Sequence, residues 1–316
     1  MSCHAAFIRL GFAPPMAETA PPSPPSKART FVRRTASTLF LWALVSSTLI
    51  SMKPWAYLAL VGVLGILSTV EYFKMLKTAG IPSFPRFGLL CALAYSGGLY
   101  YLILNGHKVL PIDIDALAIF VVAAGAFTLQ LRRQIKGIEA LQSVAFTLLG
   151  FVYIAFLFNF SARVTFIVPH EAAVPGAIML LWLLAVTKFT DMGAYITGSV
   201  IGRHKMIPHV SPGKTWEGFV GALFFAQLAG CGLYALFPTE LAVFHSWGHV
   251  IFLGFLLAVL AVIGDLAESI VKRALGAKDS GSILPGIGGA LDLIDSICFT
   301  APALYFYLKW VLLPLA

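Results

Sequence analysis

Charge is scarce in this chain. Only 11% of its 316 residues are Asp, Glu, Lys or Arg, against about a quarter in soluble domains. A fully water-facing surface is therefore excluded. Cysteine is equally sparse. Cys3, Cys91, Cys231 and Cys298 are far apart, so neither a disulfide framework nor a cysteine metal motif is present, and they read as packing residues. There is no dinucleotide glycine fingerprint, no Ser/His/Asp arrangement for nucleophilic catalysis and no RNA-binding aromatic pattern. His204 and His209 stand five apart with no third ligand nearby, which does not suit zinc. The triplet Gly213-Lys214-Thr215 suggests a P-loop, but that motif needs glycine where Pro208 stands, and a strand before it.

Apolar residues fill the gap. They make up 59% of the chain, and the mean hydropathy is +0.88. Repeated long apolar runs identify an all-α, polytopic integral membrane protein. The net charge of +8 is then explained by basic cytoplasmic loops, and no nucleic-acid partner is expected.

Along the chain, residues 1–36 read as a disordered tail. Pro14 to Pro25 is proline-rich, and Lys27, Arg29, Arg33 and Arg34 form a basic collar; Met1 and Met16 are both candidate starts. Nine spans are predicted, at about 37–51, 55–73, 87–104, 116–131, 141–160, 175–190, 218–237, 248–264 and 297–313. The first is short and is also compatible with a hairpin around Lys53-Pro54. Residues 37–174 form an N-terminal membrane region and 175–316 a C-terminal, catalytic one.

With nine crossings and a cytoplasmic N-terminus, eighteen of the 22 Lys and Arg residues fall inside. Only Lys53, Lys108, Arg163 and Lys309 fall outside, the alternation that the positive-inside rule requires. Ten of the fourteen acids also lie inside; Asp113, Asp115, Glu171 and Glu240 do not. Acids following the bases inward points to polar chemistry at the cytoplasmic face.

Two constellations stand out there. In Gly264 to Ser296, Asp265, Glu268, Ser269 and Lys272 have the spacing of one helix face, and Asp292 and Asp295 open the last span. Carboxylates on facing helices supply the oxygen ligands of a hard cation. Between them lie Arg273, Lys278, Asp279 and a loop with Gly281, Gly286, Gly288 and Gly289, whose small residues let backbone N–H groups approach an anion. The second constellation runs from Lys188 to Gly218. Asp191 closes the sixth span, Tyr195 follows one turn on, and Ser211-Pro212-Gly213 makes a turn before Lys214 and Thr215. Glu217 opens the seventh span, where a carboxylate is favoured at a helix N-terminus. Glu71, at the end of the second span, suits a buried polar contact or an interfacial position equally.

These residues resemble the phosphatidate cytidylyltransferase (CDP-diacylglycerol synthase) family. The family's C-terminal signature is matched at the same spacing by Ser269, Lys272, Arg273, Lys278, Asp279, Pro285, Gly286, Gly288, Gly289, Asp292 and Asp295. Asp191, Gly193, Ala194, Tyr195 and the string from Ser211 to Gly218 match a second stretch. The likeness is close over 187–297, and elsewhere only in kind. Ile287 and Leu293 stand where the family's usual residues are His and Arg.

The resemblance implies CTP and phosphatidate as substrates, CDP-diacylglycerol and pyrophosphate as products, and an inner membrane with the site facing the cytoplasm. It also implies Mg²⁺, with a second ion such as K⁺ open, and a homodimer. Asp265, Asp292 and Asp295 are the expected metal ligands, with Glu268 and Asp191 as second choices. Lys272, Arg273 and Lys278 are expected to neutralise phosphates. Ser211, Lys214, Thr215, Glu217, Ser269, Gly288 and Gly289 are expected to shape the substrate side, and Asp279 to orient a lysine. The alternatives are a CTP-dependent lipid kinase, a cytidylyltransferase for another lipid phosphate and, in another class, an ion-coupled transporter.

Overall fold

The computed structural model describes residues 43–48, 51, 53–105, 112–167, 175–277, 279–281 and 288–313. The expectations on the N-terminal tail, Cys3, Lys108, Glu171, Lys278, Pro285, Gly286 and Ile287 lie outside the described residues. So does most of the first span, of which 43–48 are helical.

The chain is built from helices α1 (Pro54–Thr78), α2 (Pro85–Leu104), α3 (Ile112–Leu131), α4 (Glu139–Gly150), α5 (Phe160–Ile167) and α6 (Pro175–Ile201). A two-stranded hairpin follows, β1 (Lys205–Ile207) and β2 (Ser211–Thr215). Then come α7 (Trp216–Leu236), α8 (Trp247–Ala274), the short α9 (Leu291–Ile294) and α10 (Ile297–Tyr307). A π-helical segment, Phe151–Phe156, links α4 to α5, and another, Leu308–Leu312, extends α10. Among the described residues, eight helices are long and apolar enough to cross a bilayer: Pro54–Thr78, Pro85–Leu104, Asp113–Leu131, Glu139–Ile167, Gly176–Ile201, Trp216–Leu236, Trp247–Ala274 and Leu291–Leu312. They coincide with eight of the nine expected spans.

Local chemistry sets the ends. Pro54 and Pro85 open their helices, where no N–H partner is needed. Gly80 (φ +70°) and Gly276 (φ +66°) close α1 and α8 in the left-handed region. At each end the next residue's N–H reaches back five positions in the chain, Ile81 to the Leu76 carbonyl (2.9 Å) and Ala277 to that of Lys272 (2.8 Å).

Two differences from the sequence reading bear on the site. Helix α6 continues to Ile201, eleven residues past the expected end, so Asp191 lies inside a helix. Ser211-Pro212-Gly213 is strand, not turn; the turn is Pro208–Val210. Both strands of the hairpin are edges, so Pro212 costs no shared ladder bond.

Small residues let α6 and α7 approach closely. A Cβ on Gly193 would lie 2.7 Å from the Gly221 carbonyl oxygen, and one on Gly218 2.8 Å from that of Ala194. One apolar cluster runs through both halves of the chain. It includes Leu76 and Leu99 from the first half and Trp182, Leu257, Ile294 and Leu304 from the second, all fully buried. With every span crossing, residues 79–84, 132–138, 202–215, 275–277, 279–281 and 288–290 share one face of the bundle.

Candidate active site

At that face a cavity of about 480 Å³ lies between α6, the hairpin, α7, α8 and α9. Both sequence constellations meet in it. Asp191 comes from α6, Ser211, Lys214 and Thr215 from β2, Asp265 from α8, Asp292 from α9, and Asp295 from the residue after α9. Lys214 Nζ lies 2.5 Å from Asp265 Oδ2, closing one constellation on the other across fifty residues of sequence. Thr215 is buried and caps α7, its hydroxyl accepting from the Gly218 N–H at 3.1 Å. Asp191 is near Lys188 (3.5 Å).

Behind the acid wall is a second polar layer. Lys272 Nζ donates to Glu268 Oε2 (2.6 Å) and to Asp292 Oδ1 (2.9 Å). The Gly289 N–H donates to the other Asp292 oxygen at 2.8 Å. Gly288 is left-handed (φ +124°), and a Cβ there would lie 2.8 Å from Asp292 Oδ2. Its glycine is thus required by conformation and by space. Asp295 is almost fully buried, accepts from the Ser296 N–H, and lies within electrostatic reach of Asp191, Asp265 and Lys188.

Not every expected site residue reaches the cavity. Glu268 is buried against Lys272 and does not line it. Glu217 accepts from the Arg203 (3.1 Å) and His204 (3.2 Å) N–H groups and meets the His204 ring at 2.6 Å, so it pins the approach to the hairpin. Arg273 is exposed and donates a long 3.5 Å bond to the Ala277 carbonyl; Ser269 is half-buried and off the cavity wall. Asp279 is exposed. Leu293, where the resembled family carries Arg, packs against the main apolar cluster, so its position serves the core.

Other residues enter the site unannounced. Glu71 is buried, and its Oε2 accepts from the Leu291 N–H at 3.0 Å, tying α1 to α9. A Cβ on Gly281 would collide with the Glu71 carboxylate, and one on Gly289 would lie 2.6 Å from Glu71 Oε2. The glycines of this loop therefore serve close packing on Glu71 as well as any anion. The signal was visible, since Glu71 is the sole acid in α1. Tyr153, on the π-helical segment, had no such signal. It is buried, its hydroxyl finds no hydrogen-bond partner among the described residues, and it is within electrostatic reach of Asp265, Glu268 and Asp295.

The donor set facing the cavity is carboxylate oxygen, the chemistry of a hard divalent cation. Lysines pair with three of these carboxylates, Lys188 with Asp191, Lys214 with Asp265 and Lys272 with Asp292, and among the described residues no three His, Cys, Asp or Glu side chains gather closely enough to hold an ion. The donor type fits such a cation, and Asp295 is the cavity acid with no lysine at ion-pair distance among the described residues.

A family described as "Cytidylyltransferase family" matches residues 32–311. A phosphatidate cytidylyltransferase of Staphylococcus aureus (strain COL) is 31% identical over 281 residues, covering 88% of this chain and 97% of its own length. The phosphatidate cytidylyltransferase of Brucella suis biovar 1 (strain 1330) is 42% identical over 132 residues, 42% of this chain and 47% of that one. The uncharacterized protein YnbB of Escherichia coli (strain K12) is 30% identical over 273 residues, 85% of each chain.

Proposed function

The chain belongs to the cytidylyltransferase family, and on that premise we propose that it forms CDP-diacylglycerol and pyrophosphate from CTP and phosphatidate. The observation that carries the reading is the meeting of Lys214 and Asp265 in a cavity walled by Asp191, Asp292 and Asp295.

The chemistry suits such a site. Phosphatidate is a phosphate monoester with a free oxyanion. That oxygen attacks the α-phosphorus of CTP, a new P–O bond forms, and the bond to the β-phosphate oxygen breaks with release of pyrophosphate. The nucleophile is already ionised, so no protein base or covalent intermediate is needed. The protein's work is positioning and charge neutralisation. Lys214 is the cation on the cavity wall, and Lys272 holds Asp292 from behind. Mg²⁺, when bound, would neutralise charge on the transferring phosphate, and Asp265, Asp295, Asp191 and Asp292 are the side chains that would hold it.

The cavity's apolar rim supports a lipid substrate. Tyr195 lines it yet is 77% exposed, and Trp216 and Val220, near the start of α7, are exposed as well. A side open to hydrocarbon lets acyl chains stay in the bilayer while the headgroup reaches the carboxylates. The bias of Lys and Arg to this face supports a cytoplasmic orientation of the site.

The deciding experiment uses purified protein, labelled CTP and phosphatidate, with and without Mg²⁺, and the lipid product read by mass. CDP-diacylglycerol with labelled pyrophosphate release is expected. A lipid gaining only one phosphate, with CDP released, would instead make the chain a lipid kinase.

A further inference from the structure

A second pair of cavities lies on the same face, at the corner between α3 and α4 and distinct from the carboxylate site. One, of about 380 Å³, is polar, with Gln130, Arg133, Lys136 and Glu139 on its wall. The other, of about 340 Å³, is apolar, with Phe127, Leu131, Ile135 and Val144. They share Gln130, Arg133 and Ala140, so they are two compartments of one groove.

The groove sits where a membrane surface must be, because Leu131 is the last residue of a span. Leu131 and Ile135 are 85% and 81% exposed. Full exposure of two such side chains to water is unfavourable, and acyl chains remove the cost. Arg132, Arg133 and Lys136 have no carboxylate partner among the described residues. The Arg133 guanidinium is held 4.5 Å from the centre of the Phe84 ring, which fixes its head at the polar compartment. Gln130 Oε1 is shielded from solvent and finds no hydrogen-bond partner among the described residues.

We infer that this groove is a binding site for an anionic glycerophospholipid of the surrounding leaflet whose headgroup carries hydroxyls. Its phosphate sits against Arg133 and Lys136, and an acyl chain fills the apolar compartment. Basic pockets beside membrane helices recognise anionic headgroups in this way. Glu139 stands on the same wall and opposes an anion, but it and Gln130 Oε1 are acceptors. A glycerol headgroup has hydroxyl donors for both, which a bare phosphate lacks. The site is separate from the carboxylate cavity, so its occupancy is independent of turnover there.

The test is native mass spectrometry of the full chain in neutral detergent, titrated with phosphatidylglycerol or phosphatidylcholine of identical acyl chains. Phosphatidylglycerol avoids the phosphate monoester of the proposed substrate. It is expected to be retained about tenfold more strongly than phosphatidylcholine. Arg133→Gln with Lys136→Gln abolishes that preference, while cytidylyl transfer in neutral detergent is unchanged. Leu131→Ser with Ile135→Ser weakens retention of both lipids, an independent reading of the apolar half. Equal retention of the two lipids by the unaltered chain overturns the inference. So does an undiminished phosphatidylglycerol preference in the Arg133/Lys136 variant, or a change in that variant confined to oligomer mass, which would mark a contact between copies.

Discussion

Lys214 Nζ lies 2.5 Å from Asp265 Oδ2, one third exposed at the wall of the cavity. The pair joins the hairpin to the C-terminal half of α8. A lysine on a surface strand gains little from a solvated carboxylate, about 0–1 kcal/mol, so stability is a weak reason for the pairing. On the proposed reading its use is positional: a cation is kept beside the carboxylates until a phosphate replaces its partner.

Lys214→Met is therefore expected to lower kcat/KM for CTP by about a hundredfold, the scale of losing one charge-stabilising donor. Arg273→Met is the control. Arg273 belongs to the same sequence signature but is exposed and off the cavity wall. Its replacement is expected to change kcat/KM by less than about threefold. Steady-state kinetics on both variants decide the matter, and equal losses would return Arg273 to the site.

Asp292→Asn is expected to keep the fold and abolish Mg²⁺-dependent formation of CDP-diacylglycerol. Asn can still accept from the Gly289 N–H through its oxygen, but it presents an NH₂ group or a neutral oxygen to Lys272, which now lies 2.9 Å from a carboxylate. The thermal midpoint in detergent and the labelled-CTP assay read the two halves of this expectation. Full turnover would remove Asp292 from the reacting centre.

How much of this was legible in the sequence depends on distance along the chain. Apolar runs are local, so eight spans were found, but not always their ends: α6 and α8 run eleven and ten residues past the expected boundary. The carboxylates at i and i+3, with Lys272 at i+7, were visible because helical spacing is local too. What the spacing cannot show is which way a side chain faces. Glu268 shares the helix of Asp265, but it turns to Lys272 and the core. Glu217 is in the matched string, yet it serves the backbone of residues 203 and 204. The hairpin was missed because Pro208 and Pro212 argue against strands, and a free two-stranded pair tolerates them. Tyr153 was out of reach, since it reaches the acids through tertiary packing, α5 on α10 and its own ring against Phe299 of α10, with no local pattern.

Glu71 tests whether the N-terminal half positions the site. Glu71→Gln keeps an acceptor of the same shape for the Leu291 N–H and is expected to melt within about 1 kcal/mol of the parent, with most activity retained. Glu71→Ala leaves that buried N–H unpaired and opens a void against Gly281 and Gly289. It is expected to cost about 2–4 kcal/mol and to lower kcat more than the CTP KM rises. Indistinguishable kinetics for Ala and parent would confine Glu71 to packing.

The α6–α7 seam gives a steric prediction. Gly193 is two residues from Asp191, and a Cβ there meets the Gly221 carbonyl oxygen at 2.7 Å and Phe225 Cβ at 2.7 Å. Backbone cannot yield as a side-chain tip can. Gly193→Ala is expected to destabilise by about 1–3 kcal/mol and to reduce activity by displacing Asp191 from the wall it shares with Thr215. Gly232→Ala, at a position with nothing within 4 Å, is the matched control and is expected to be neutral or slightly stabilising. Thermal unfolding of the two variants in one detergent makes the comparison.

The opposite end of the bundle holds a buried ion pair that plays no part in the cavity. Arg163 Nη1 donates to Asp115 Oδ2 at 2.9 Å and its Nη2 to Tyr95 Oη at 3.0 Å, while the Tyr95 hydroxyl donates to Asp115 Oδ1 at 2.9 Å. The guanidinium also lies 4.9 Å from the Phe160 ring centre. Only 4% of the Arg163 side chain is exposed. Removing one partner strands the other charge, so Arg163→Met alone, or Asp115→Leu alone, is expected to cost about 3–5 kcal/mol. Replacing both removes the desolvation cost together with the attraction, and the double variant is expected to return close to the parent midpoint with its cytidylyl transfer intact. Tyr95 then keeps a hydroxyl with fewer partners, which sets the remaining deficit. A double variant as unstable as either single would show that the triad's hydrogen bonds, and not its charges, hold α2, α3 and α5 together.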